Sequence, residues 1–194
     1  MDQQNSGRRG GIGGREFVLG QLLAIASTII GVYLAGYVGF QRTLEYDAFR
    51  NARERLNVLQ ALHEELDQNL DILDAHLVRM KATHEGKPLY GDWPRQRLYL
   101  WHAAAESPAL FEAPAETLAH MQAFYAETGE LLADETLHKA YSGISSSNAY
   151  ERKQTDERLE GLMRTARADL LPALEQAMAA PRKRVDEYSA WIAN

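Results

Sequence analysis

Between Glu16 and Arg42 the chain carries an unbroken run, Phe17 to Gln41, without one Asp, Glu, Lys, Arg or His. As a helix, those twenty-five residues reach roughly 37 Å, against about 30 Å of bilayer hydrocarbon. A core helix in water rarely needs so long an uncharged stretch, whereas a membrane span does. The run therefore divides the chain into three: a Gly- and Arg-rich tail expected to be flexible (1–16), a transmembrane helix (17–41) and a soluble domain (42–194).

A cleaved signal peptide is the alternative reading. Arg8, Arg9 and Arg15 precede the run, and Ala24-Ile25-Ala26 has the small-x-small form of a cleavage site. An h-region, however, ends after about 7–15 residues, and here the apolar sequence continues well past Ala26. Tyr33 and Tyr37 lie toward the far end, where interfacial aromatics collect. Four arginines follow the span (Arg42, Arg50, Arg53, Arg55) and three precede it. The positive-inside rule thus favours a single pass through the inner or plasma membrane with a cytoplasmic domain over a periplasmic or extracellular one. A further basic cluster, Arg182-Lys183-Arg184, reads either as a solvated helix end or as a contact for anionic membrane lipid.

Mean hydropathy is −0.40 with the span included, so the remainder is strongly hydrophilic. Net charge is −6 and no basic stripe is present, which argues against nucleic acid as a partner. The chain has no cysteine, so disulfides, thiolate nucleophiles and Cys zinc sites are excluded.

After the span, sevenfold spacing governs residues 42–83. One column is Phe49, Leu56, His63, Leu70, Leu77; the other is Ala52, Leu59, Leu66, Leu73, Met80. Offset by three, they form an a/d seam on one long helix. Carried backwards, the register passes through Gln21, Ala24, Thr28, Gly31 and Ala35, which are small or polar. Helices in lipid associate through small residues and interhelical hydrogen bonds, whereas in water they need Leu, so the seam changes chemistry where the solvent changes. The pattern predicts one rod with a single interaction face. Partners for that face are other membrane-protein subunits, a second copy, or, over the soluble part, the chain's own later helices.

Those helices are expected at 93–106 (opened by Asp92-Trp93-Pro94), 115–140, and 149–180 with a kink at Pro172 and a break at Pro181; Ser142 to Asn148 reads as a loop. Leu98, Trp101 and Ala105, then Leu118, Met121, Phe124 or Tyr125, Leu131 and Leu132, then Leu159, Leu162, Ala166, Leu170, Leu174 and Ala177 mark their inner faces. No strand-like alternation competes, so the fold class is all-α, a helical bundle on a membrane stalk.

Catalytic signals are thin. Di-iron bundles pair two Glu-x-x-His units with further glutamates; here Glu135/His138 is one unit, and Glu116/His120, His63/Asp67 and Asp134/His138 are four-apart variants. No metal or other cofactor is assigned. The Arg-x4–6-His spacing of HEPN ribonucleases matches at Arg97/His102, Arg95/His102 and Arg79/His84, but sixteen arginines and six histidines produce such spacings freely. The glycines at 10–14 follow no strand, and Ser145 to Ser147 lack a placed base.

The segment Leu62-His63-Glu64-Glu65-Leu66-Asp67-Gln68-Asn69-Leu70, after an N-terminal span, resembles a diffuse set of bacterial single-pass proteins of uncharacterised role. Their helical domain opens with Leu-x-x-Glu-(Leu/Ile)-x-x-Asn-Leu. The resemblance covers about sixty residues and implies a topology without an activity. The sequence points to a non-enzymatic, membrane-anchored helical protein acting through protein–protein interaction, as an accessory subunit of a membrane complex or as a homo-oligomer. The alternative is a membrane-tethered HEPN-like ribonuclease or defence-type effector.

Overall fold

The computed structural model describes residues 13–83, 89, 93–106, 114–142 and 149–193. Residues 1–12 of the N-terminal tail, His84, Asp92 and residues 143–148 of the Ser142 to Asn148 loop lie outside the described residues. Six α-helices are present among the described residues: α1 (Gly13–Ala82), α2 (Tyr99–Ala105), α3 (Ala115–Ala133), α4 (Glu135–Tyr141), α5 (Ala149–Thr165) and α6 (Leu171–Ala193). A π-turn, Ala166–Leu170, joins the last two. The protein is all-α, and its first helix is long and apolar enough to cross a membrane.

Two compact units are distinguished, Met1–Ala48 and Phe49–Asn194. In the first, every described side chain up to Asp47 is exposed. In the second, α1 runs antiparallel to the α5–α6 pair. Phe49 stacks on Tyr188 (centroids 4.4 Å apart), His63 lies 3.6 Å from Glu175, Arg167 bonds Asp74, and Lys81 bonds Glu160 at 2.8 Å. Partner numbers fall as α1's rise, so one register holds along the pair. The Arg167–Asp74 and Lys81–Glu160 ion pairs are exposed and align more than they stabilise. The core is built by Leu59, Leu62, Leu66, Leu70 and Leu73 from α1, Met121, Phe124 and Tyr125 from α3, Tyr141 from α4, and Leu159, Met163, Leu170 and Leu174 from the last rod. Burying each leucine contributes about 1.5–3 kcal/mol against leaving it in water.

The structure changes the expected helix ends, each for a local reason. Residues 93–98 are not helical, so Pro94 does not open a helix. The helix begins at Tyr99 because a side chain of α1, Glu65, caps it from outside. Asp134 divides the predicted 115–140 helix. Its backbone is extended, and its carboxylate accepts from the Thr136 backbone N–H at 2.8 Å and from the Thr136 hydroxyl at 2.6 Å, starting α4. Those Thr136 hydrogen bonds hold the Asp134 carboxyl below its usual range. At Pro172 the missing N–H and the ring are accommodated by a π-turn, in which the Leu171 N–H donates to Ala166 O, five residues back. Pro181 does not break the final helix: it lies buried inside α6, which continues to Ala193.

Candidate functional site

The five span positions Gln21, Ala24, Thr28, Gly31 and Ala35 are all exposed. Their polar neighbours are satisfied locally, since the Ser27 and Thr28 hydroxyls both donate to Ala24 O at 2.9 Å, and Thr43 donates to Gly39 O at 3.0 Å. A Cβ added at Gly20, Gly31, Gly36 or Gly39 would meet nothing within 4 Å. This surface leaves room for a second helix to approach closely, and its hydroxyls do not require one.

Along the soluble seam, Leu56, Leu59, Leu66, Leu70, Leu73, Leu77 and Met80 are buried, while Phe49 and His63 are half-buried at the margin. The buried face is wider than a two-column seam. Leu62, Asn69, His76 and Thr83, seven apart in a third column, are buried too. A three-column face belongs to a helix lying on a globular core, whereas a strict two-column stripe is the seam of a coiled coil.

Two polar constellations occupy that third column and its neighbour. Asn69 grips the backbone of Arg97 from both sides: its Nδ2 donates to Arg97 O at 2.7 Å, and its Oδ1 accepts from the Arg97 N–H at 2.8 Å. One turn earlier Glu65 accepts from the N–H groups of Leu100 (2.7 Å) and Trp101 (2.9 Å), capping α2 with a buried carboxylate. The Leu-x-x-Glu-Leu-x-x-Asn-Leu segment thus has a structural use: its leucines enter the core and its polar pair straps residues 97–101 onto α1.

The second constellation surrounds Trp93. His138 stacks on it at 4.0 Å and His76 meets it edge-on at 4.6 Å. His138 Nε2 lies 2.8 Å from Leu132 O; a carbonyl only accepts, so that nitrogen carries the proton. The Tyr141 hydroxyl sits 2.7 Å from Asp156 Oδ1 and 2.8 Å from Arg152 O, and burial pushes the phenol up, helped by Asp156. His76 is 2 % exposed and neither ring nitrogen has a hydrogen-bond partner. Burial first, then the charges of Arg79 and His138, lower it to about 4, so it is neutral at physiological pH.

The metal-like pairs are otherwise engaged. Glu135 pairs with Lys139 at 3.9 Å, Asp134 caps α4, and His138 is held by Leu132 O and Trp93. Among the described residues no three His, Asp or Glu side chains converge as a metal site would require. Of the Arg/His spacings, Arg97 has its backbone held by Asn69 and its guanidinium on Gln68 at 2.8 Å, and His102 lies exposed on α2.

Glu116 and His120 fall on the rim of a groove that sequence reasoning missed. About 910 Å³ in volume, it runs between α3 and the α5–α6 rod. Phe124, Leu162 and Leu170 line its apolar part, and Glu127, Glu157 and Asp169 join Glu116 around it. Spacing within single helices cannot reveal a groove made by two.

Searches against family models, curated proteins and solved structures give no match for this chain.

Proposed function

We propose that the chain is a non-enzymatic, membrane-anchored helical protein that acts by binding other proteins. Phe17 to Gln41 anchors it in the inner or plasma membrane, with membrane lipid around the span and the 42–194 domain in the cytoplasm. It serves as an accessory subunit of a membrane complex or as a homo-oligomer. One contrast carries the reading. The apolar side chains of residues 17–40 are uncovered, whereas those of the α1 seam beyond residue 49 are covered by the chain's own helices. Free apolar surface is therefore concentrated on a segment whose composition suits lipid, and its small residues Ala24, Gly31 and Ala35 suit a second helix there.

The chain has no cysteine, so Ala35→Cys is a unique crosslinking site. Oxidation in native membranes gives a disulfide-linked dimer if the protein is a homo-oligomer. An accessory subunit gives no such dimer, and a different polypeptide co-purifies after amine crosslinking. Neither dimer nor companion would refute the interaction reading.

A further inference from the structure

The groove between α3 and the α5–α6 rod lies wholly within the 49–194 unit, and its lining combines an apolar floor with several carboxylates. We propose that it docks an amphipathic helix of a partner protein, one that presents an apolar stripe flanked by lysines or arginines. The inference rests on the reading of the chain as an interaction protein and names the surface and the partner's chemistry.

Shape is the first argument. On the α3 side the lining runs from Pro114 to Glu127. At about 1.5 Å per residue that is roughly 20 Å, the length of some thirteen residues of a docked helix. A compact metabolite would fill only part of it. Helix-in-groove docking needs an apolar floor along such a channel, and Phe124, Leu162 and Leu170 provide one.

Gly161 is the second. It sits inside α5 on the groove wall, and a Cβ added there would meet nothing within 4 Å. Glycine weakens a helix interior, and close packing is the usual reason to keep one. At Gly129 in α3 an added Cβ would come into ordinary contact with Gln96 Oε1 of the same chain, at 3.7 Å. At Gly161 no described residue takes up the space, and a partner helix lying in the groove would.

Charge is the third. Among the described residues that line the groove, Glu116, Glu127, Glu157 and Asp169 face one cation, Arg158, which lies 3.6 Å from Glu127, with His120 the remaining titratable group; Lys153, outside the lining, lies 3.7 Å from Glu157. The surplus is acidic, so the complementary helix is basic.

The full chain in phosphatidylcholine nanodiscs, labelled with a fluorophore at Gln176→Cys on the groove wall, provides the test. The probes are an amphipathic Leu/Lys peptide of about fourteen residues and its Leu/Glu counterpart. The Leu/Lys peptide should bind saturably and the Leu/Glu peptide should give no response. Gly161→Leu, whose Cβ meets no described atom within 4 Å, should weaken binding about tenfold or more, as should Glu116→Lys with Glu157→Lys. Equal affinity across these variants, equal response to the Leu/Glu peptide, or no binding of the Leu/Lys peptide would overturn the proposal. So would a dimer dissolved by Gly161→Leu, which would make the occupant a second copy. Failure here while crosslinking still recovers a companion counts against the groove alone; failure to recover any companion counts against the reading beneath it.

Discussion

Residues 17–41 and 49–82 belong to the same helix and follow the same sevenfold register, yet they treat their apolar side chains in opposite ways. Leu23 is 63 % exposed and Leu66 is 0 % exposed. Their polar groups differ in the same sense. Ser27 and Thr28 bond a carbonyl of their own helix, whereas Glu65 and Asn69 bond a segment about thirty residues away. In the first region the Ser27 and Thr28 hydroxyls are satisfied within their own helix, and the apolar side chains need surroundings that tolerate hydrocarbon. The second draws its apolar surroundings from the rest of its own unit. A shared period therefore says nothing about what covers a face; the composition of the face and the groups beside it do.

Leucine truncation should expose that contrast most strongly. Leu66→Ala is expected to destabilise the 49–194 unit by about 2–5 kcal/mol, while Leu23→Ala leaves its thermal or denaturant midpoint unchanged. Chemical denaturation in detergent micelles compares the two directly, and equal effects would erase the distinction.

Acid should act on the buried region alone. His76, lowered to about 4 when folded, binds fewer protons than in the unfolded chain. Its contribution is intact above about pH 6.5 and is lost as pH falls toward 4, by on the order of 2–3 kcal/mol. Arg79 and His138 act in the same direction. His76→Leu should flatten stability between pH 6.5 and 4, and an unchanged slope would show that the ring is not the sensor.

The strap comes next in size. Asn69→Ala leaves the Arg97 N–H and C=O without their partners and should cost about 1–3 kcal/mol. Increased hydrogen exchange should be confined to residues 97–101, and exchange rising equally along α1 would contradict this role. Smallest is Gly161→Ala, expected to stabilise the unit by about 0.5–1 kcal/mol, since the added methyl meets nothing and a helical glycine is lost. A destabilisation would mean the space is not open.

The parts legible in the sequence were those written along a single helix. The uncharged run and the leucine columns follow from spacing alone, as do the inner positions Met121, Leu159 and Leu174. The burial of Asn69 and His76 was not legible, because a polar residue beside the leucine columns reads as solvent-facing, and the groups that cover them come from distant segments. Glu65 was quoted within a motif but its use, capping α2 from another helix, needed the fold. Pro181 misled because buried packing holds the helix together across the lost hydrogen bond. The groove depends on how two helices lie together, and only the acidic residues on each were visible beforehand.

Accessibility of single cysteines, made possible by the cysteine-free chain, tests the central claim most directly. Leu23→Cys, Ile29→Cys and Val78→Cys replace side chains that are all more than half exposed on the protein itself. In opened membrane fragments, a polar maleimide should label Val78→Cys rapidly and leave the other two unlabelled, because lipid covers what the protein does not. Labelling of Leu23→Cys and Ile29→Cys at the rate of Val78→Cys would contradict the account.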